Sequence, residues 1–272
     1  MKPTRKQIWT IAYPILISLL MENMIGLTDT AFLGRVGEVE LGASALGSVY
    51  YLVIFMLGFG FGIGAQILIA RRNGEKAYAL IGPLFQQGLL FLLSLATVMF
   101  VISHTFTPMV LRSLISSDEV YEAAVSYTNW RVFGFFFAFV AIMFRAFFVG
   151  ITNTKTLTLN SIVMVLSNVV LNYVLVFGKL GLPAMGIAGA AIASSASEMI
   201  SMVFFIVYTR LRIDHRKYGL FRFAGFSSKL LRGMLNVSVW TMIQMFVAIS
   251  TWFFFFIAVE HLGERPLAVT NI

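Results

Sequence analysis

The chain has 272 residues, of which 59% are hydrophobic and only 12% charged, and its mean hydropathy is +0.87. A soluble domain carries about 25% charged residues, and no globule of this length could hide so much apolar surface, so a water-soluble enzyme or binding module is excluded. In this setting the net charge of +8 points to membrane orientation rather than nucleic acid, and the absence of cysteine removes disulfides and thiolate-held metals.

The fold class is therefore all-α and integral to the membrane, a polytopic helical bundle. Seven apolar runs reach the roughly 20 residues a span needs: 8–33, 41–70, 80–103, 121–150, 157–178, 186–208 and 234–259. The first follows the basic flank "MKPTRKQIW", but its length far exceeds the about 7–15 apolar residues of a signal peptide, so it reads as an uncleaved span. With the N-terminus in the cytoplasm, 15 of the 20 Lys and Arg residues fall on that side; Arg145 is counted there, and Arg131 opposite. The positive-inside rule selects that orientation.

Span one holds "LLMENMIGLTDTAFLG". A carboxylate deep in a membrane helix costs about 3 kcal/mol, yet this stretch carries Glu22 and Asp29. Seven residues is close to two helical turns, so the two acids share a stripe with Asn23, Gly26 and Thr30. They form either a protonatable pair facing an internal cavity or, for Asp29, a hydrated acid near the outer interface. Pro14 withholds a backbone hydrogen bond and favours a bend.

Span two carries "LGFGFGIGAQ", where Gly58, Gly60, Gly62 and Gly64 suit helix packing or flexing better than nucleotide binding. In span five, Asn160, Asn168 and Asn172 recur at multiples of four and share one face; buried amides there coordinate a cation, bond a carboxylate, or join helices. Span six opens "GIAGAAIASSASEM", with small residues at packing spacing, and Glu198 ends the row begun by Gly186, Ala190 and Ser194. An acid at that depth is expected to face the bundle interior.

The connection "TRLRIDHRKYGLFRFAGFSSKLLRG" is an orientation signal that also touches anionic lipid headgroups. His104, His215 and His261 form no metal spacing. There is neither a nucleophile beside a base nor a phosphate-binding loop, so the chain reads as no enzyme and no ATPase. Sliding span one forward by 226 residues sets Gly37 on Gly263, Glu38 on Glu264, Leu41 on Leu267 and Leu46 on Ile272. Six intervening spans return the chain to the same side, as a parallel repeat requires. The expectation is one six-helix half plus the first helix of another.

These features resemble the multidrug and toxic compound extrusion (MATE) transporters. "YPILISLLMENMIGLTDTAFLGRVGEVELGASALG" is similar to the family's opening helix, "GIGAQILIARRNGEK" to its second-helix exit, and "RAFFVGITNTKT" to its cytoplasmic turn, with Arg145, Gly150 and Lys155. "NVVLNYVLVFGKLGLPAMGIAGAAIAS" resembles the span five–six hairpin of the NorM-like branch. The resemblance implies twelve helices in two six-helix lobes, with residues 1–209 as the N-lobe, 210–233 as a basic cytoplasmic linker, and 234–272 as the incomplete first helix of the C-lobe. It implies a monomer, when full length, in the bacterial cytoplasmic (inner) membrane.

It further implies a secondary antiporter that exports amphipathic, often cationic organic compounds in exchange for H⁺ or Na⁺, with no cofactor beyond that ion. Asp29 falls on the family's N-lobe acid, where Na⁺ is the only metal to consider, and Pro14 on the proline where its first helix bends upon protonation. Glu22 stands where glutamine is usual, Asn168 matches the span-five asparagine, and Asn172 replaces a second acid found in several members. Glu22 and Glu198 are further coupling candidates. Two alternatives remain: a lipid-precursor flippase of the same superfamily, which needs a larger and more cationic cavity, and a seven-helix receptor or membrane enzyme. The 226-residue offset and the lack of a catalytic constellation speak against the latter.

Overall fold

The computed structural model describes residues 5–221 and 225–270. Lys2, Arg222 and Ile272, which enter the charge count and the repeat, lie outside the described residues. The helices are α1 (Arg5–Leu33), α2 (Glu38–Gly74), α3 (Ile81–Leu114), α4 (Asp118–Arg131), α5 (Gly134–Gly150), α6 (Lys155–Phe177), α7 (Gly186–Arg212), α8 (Ser228–Glu260) and α9 (Glu264–Thr270), with a 3₁₀ turn at Tyr78–Leu80 before α3. Among the described residues there is no strand. Helices close every backbone hydrogen bond within the segment, which lipid requires. The protein is an all-α polytopic membrane bundle.

Six helices are long and apolar enough to span on their own, and a seventh span arises if α4 and α5 are taken together. The apolar run 121–150 suggests one helix; the structure breaks it, with a 49° bend between α4 and α5. Thr128 contributes, since its hydroxyl bonds back to the Ala124 carbonyl at 2.8 Å and the Val125 carbonyl at 3.2 Å, an arrangement that bends helices. α2 has 37 residues, about 55 Å at 1.5 Å per residue, well beyond the roughly 30 Å hydrocarbon core.

α5 is the central helix. Twelve of its 17 residues are buried, and Phe135, Phe139, Phe144, Phe147 and Phe148 fill the space between α2, α3 and α7. The alternating glycines of α2 serve two neighbours at once. A methyl on Gly58 would lie 2.7 Å from the Phe139 ring of α5, and Gly62 presses on Ile142 of the same helix. Gly60 and Gly64 point the other way: a methyl on Gly60 would lie 2.7 Å from the Met242 Cα, and Gly64 receives Ser238, both on α8. Rows four residues apart on one face permit this close approach.

α1 and α8 are peripheral, each with only 6% of its most apolar window buried. α1 packs chiefly on α6 and is joined to it by spaced polar contacts. Thr158 donates to the Pro14 carbonyl at 3.0 Å, Ser18 and Ser161 hydroxyls meet at 2.7 Å, and Asp29 takes the Asn168 and Asn172 amides. Contacts of this kind contribute about 0.6 kcal/mol each in a membrane.

At the far end of α8, the Glu260 carboxylate accepts from the Ser116 backbone N–H at 2.9 and 3.1 Å and from that of Ser117 at 3.1 Å, at the start of α4. An acid at a helix N-terminus complements its orphan donors and its dipole. α9 lays Leu267 over Gly42 of α2.

Candidate functional site

α1, α2, α4, α5, α6 and α7 line a partly open cavity of about 470 Å³ whose lining includes Glu22, Asp29, Arg131, Arg145, Asn160 and Glu198. Its remaining wall is largely apolar and aromatic. An ionised group in such surroundings persists only when paired or hydrogen-bonded, and the three carboxylates meet that requirement differently.

Asp29 is buried, and its carboxylate accepts three hydrogen bonds. Asn172 Nδ2 stands 2.7 Å and Asn168 Nδ2 3.3 Å from Oδ1, while the Ser194 hydroxyl donates to Oδ2 at 2.7 Å. Two of the three donors come from α6 and one from α7. Asn168 Nδ2 also lies 3.2 Å from Ser194 Oγ. The amide oxygens of Asn160, Asn168 and Asn172 are buried with no hydrogen-bond partner. Among the described residues no Lys or Arg side chain forms an ion pair with Asp29.

Glu198 is held by Arg131 through two contacts, NH2 to Oε1 at 2.6 Å and NH1 to Oε2 at 2.9 Å, and it takes the Tyr51 hydroxyl at 2.9 Å. The guanidinium carbon lies 3.5 Å from the centroid of the Tyr51 ring, which itself stacks on Phe135 at 4.7 Å. Gly134 makes this possible: a side chain there would collide with Arg131 and Glu198. Arg131, counted among the outer charges in the sequence, is instead turned into the bundle at the α4–α5 break.

Glu22 pairs with Arg145, NH1 to Oε1 at 2.6 Å, and also receives the Ser18 hydroxyl at 3.1 Å and the Ser161 hydroxyl at 3.3 Å. Arg145, read with the cytoplasmic turn, therefore reaches across the cavity from inside α5. The two other residues read with that turn flank the connection between α5 and α6: Gly150 ends α5 against Ile69 of α2, and Lys155 opens α6 with an exposed side chain. Pro14 lies within α1, which is one uninterrupted helix through it. Asn160 donates to Ser201 at 2.8 Å rather than to Asp29.

Thus the structure gathers Asp29, Asn168 and Asn172 into one cluster and places Glu22 and Glu198 in separate ion pairs. Ser194 and Arg131 complete these clusters without having been singled out as site residues. The signal for Ser194 was its place on the row Gly186–Ala190–Ser194–Glu198, whose first members pack and whose last two turn polar groups to the cavity. Among the described residues, no three His, Cys, Asp or Glu side chains gather as a metal centre.

A family model described as MatE matches residues 14–174. A probable multidrug resistance protein NorM from Synechocystis is 29% identical over 223 residues, covering 81% of this chain and 48% of that protein. One from Mannheimia succiniciproducens is 26% identical over 217 residues, 79% of this chain and 46% of that protein. The chain thus spans about half the length of these curated relatives. Among solved structures, a eukaryotic MATE transporter superposes with a TM-score of 0.83 at 20% identity, over 98% of this chain and 59% of that one. A transporter of the MOP superfamily from Pyrococcus furiosus, described as having a binding pocket of reversed polarity, gives 0.82 at 20% identity, over the whole of this chain and 62% of that one.

Proposed function

Because the chain belongs to the MatE family, we propose that it works as the first half of a secondary antiporter that exports amphipathic, often cationic organic compounds, driven by inward protons at Asp29. In this reading residues 1–209 are the N-lobe, 210–233 the cytoplasmic linker, and 234–272 the start of the C-lobe. The N-terminus lies in the cytoplasm of a bacterial cell, as the bias of Lys and Arg favours.

The observation that carries the reading is the geometry at Asp29. Three hydrogen donors converge on one buried carboxylate, and among the described residues no Lys or Arg is paired with it directly. This arrangement suits an ionised acid waiting for a proton better than a cation site, because an alkali ion would need those amides to offer oxygen instead. A proton arriving at Asp29 converts one acceptor oxygen into a donor. At least one of Asn168, Asn172 and Ser194 must then release or rotate. An amide that rotates presents its oxygen, and both amide oxygens lack partners in this state. Since Asp29 belongs to α1 and the amides to α6, the exchange alters how α1 is held.

The cavity walls serve the substrate. Leu19, Leu52, Phe55 and Phe59 offer an apolar and aromatic surface beside the acidic groups, which fits an amphipathic organic cation.

The test uses the gene encoding this chain in a host stripped of its own efflux pumps. Asp29→Asn keeps the protein in the membrane at wild-type level and abolishes drug resistance and proton-driven efflux. Unchanged resistance overturns the assignment.

A further inference from the structure

We propose that the cleft between the first turns of α1 and the start of α6 is a binding site for an anionic phospholipid of the phosphatidylglycerol type, with its phosphate on Lys155. The site lies apart from the central cavity, and the inference does not depend on the transport reading.

The cleft is lined by Trp9, Thr10, Tyr13 and Pro14 of α1 and by Lys155 of α6. None of these residues lines the central cavity. The polar links between the two helices join Thr158 to Pro14, Ser161 to Ser18 and Asn172 to Asp29, so α1 and α6 run parallel in a steady register. Carried back by one turn, that register sets Lys155 level with the stretch from Trp9 to Tyr13.

The face of α1 at this cleft changes character in the order that a phospholipid does. Arg5 comes first and is exposed. Trp9 and Tyr13 follow at one-turn intervals, with 63% and 60% of their surface uncovered. Aromatic rings with a polar handle settle where one end is apolar and the other wet. Leu16 and Leu20, also exposed, continue the same face inward as a track for an acyl chain. A free anion would gain nothing from that aromatic and aliphatic wall.

Charge selects the anionic class. Lys155 makes no hydrogen bond or ion pair among the described residues. α6 contains no acid, and α1 has none before Glu22, so the ammonium of a zwitterionic headgroup finds no partner here. Each Lys or Arg near the surface is worth about fivefold in binding to anionic lipid. A phosphate on Lys155 with its glycerol against Trp9 and Tyr13 bridges α1 and α6 at the end opposite Asp29.

The experiment uses the purified chain in phosphatidylcholine nanodiscs and takes Trp9 as the reporter. Trp130→Phe/Trp240→Phe/Trp252→Phe leaves it the sole tryptophan; where that chain does not fold, the difference between the wild-type chain and Trp9→Phe gives the same reading. A small fraction of lipid brominated near the headgroup end of one acyl chain is added as phosphatidylglycerol or as phosphatidylcholine. The expected result is that phosphatidylglycerol quenches Trp9 at a concentration at least fivefold lower. Lys155→Gln reduces that preference about fivefold, Arg5→Gln/Lys155→Gln abolishes it, and Lys229→Gln leaves it unchanged. Equal quenching by the two lipids or an undiminished preference in Lys155→Gln overturns the proposal. So does relief of quenching by inorganic phosphate, which would mark a free-anion site, and so does quenching by neither lipid, which would mark a face covered by protein.

Discussion

Asn172 donates its amide to Asp29 at 2.7 Å, the shorter of the two contacts that α6 makes with the α1 carboxylate. An uncharged donor therefore sits directly against the acid, and the cluster holds a single carboxyl group. Asn172→Asp sets a second carboxylate at that distance. Two carboxylates so close do not both ionise, so the variant holds a shared proton or recruits a cation. Efflux by the variant is expected to respond to Na⁺ at fixed pH while wild-type efflux does not. Equal Na⁺ response in the two would show that residue 172 does not set ion choice.

Arg131→Gln leaves Glu198 without its cation in the bundle interior. Breaking one side of a buried pair costs about 3–5 kcal/mol, so the thermal transition in detergent falls by many degrees. Arg131→Gln with Glu198→Gln recovers most of that loss, because the amides can bond each other. A double variant as unstable as the single one would mean that the Tyr51 stack, rather than charge balance, governs this region.

Enlarging the glycines of α2 separates two interfaces. Gly60→Val pushes on the α8 backbone at Met242, whereas Gly62→Val pushes on Ile142 of α5. Overpacking costs about 1–3 kcal/mol. Hydrogen exchange should speed up along α8 in the first variant and along α5 in the second. The same exchange pattern in both would contradict the two-sided arrangement.

Glu260→Ala removes the acceptor for the Ser116 and Ser117 N–H groups. Ser116 is exposed and Ser117 half-buried, so water replaces part of the lost bonding and the cost is about 0.5–1.5 kcal/mol. Protection should fall at the start of α4 and the end of α8, near His261, and stay unchanged at the other end of α8. Glu260→Gln, which keeps an acceptor oxygen, should restore part of it.

At the exposed end of α2, hydrogen bonds from Arg71 and then Arg72 hold the Glu75 carboxyl below its usual range. A depressed folded-state value gives stability that is present above the ordinary glutamate pKa and is lost as pH falls through the lowered one. Glu75 is exposed to solvent, so the effect on unfolding is small. Carbon NMR of Glu75 should show its titration moving back up in Arg71→Gln/Arg72→Gln.

Helical spacing set Asn168 and Asn172 on one face, though with Asn160, which turns to Ser201 instead, and Asp29 stood out against an apolar run; what joined the acid to the amides was the resemblance to the MATE transporters. Ser194 was harder to see, since a serine in a row of small residues reads as packing. Arg131 was hidden for another reason: it stands ten residues into the run 121–150 and was counted with the outer charges, and only the α4–α5 break shows it turned inward. That break leaves little trace in a continuous apolar run, because Thr128 and Gly134 are ordinary residues in a membrane helix. Glu198 and Glu22 were both marked as inward acids, but their cations lie 67 and 123 residues away. Pairing at such separation is decided by how the helices dock, not by local pattern.

The attachment of α1 has one more consequence. Its contacts with α6 include a spaced series of polar links beginning at the Pro14 carbonyl and ending at Asp29, beyond which the Phe32 and Phe177 rings meet at 5.6 Å. In the transport reading proposed above, the group that takes the proton is thus itself one of the bonds that fasten α1 to α6, so a proton at Asp29 would need no relay to act on that helix, as when a seam is opened from one end.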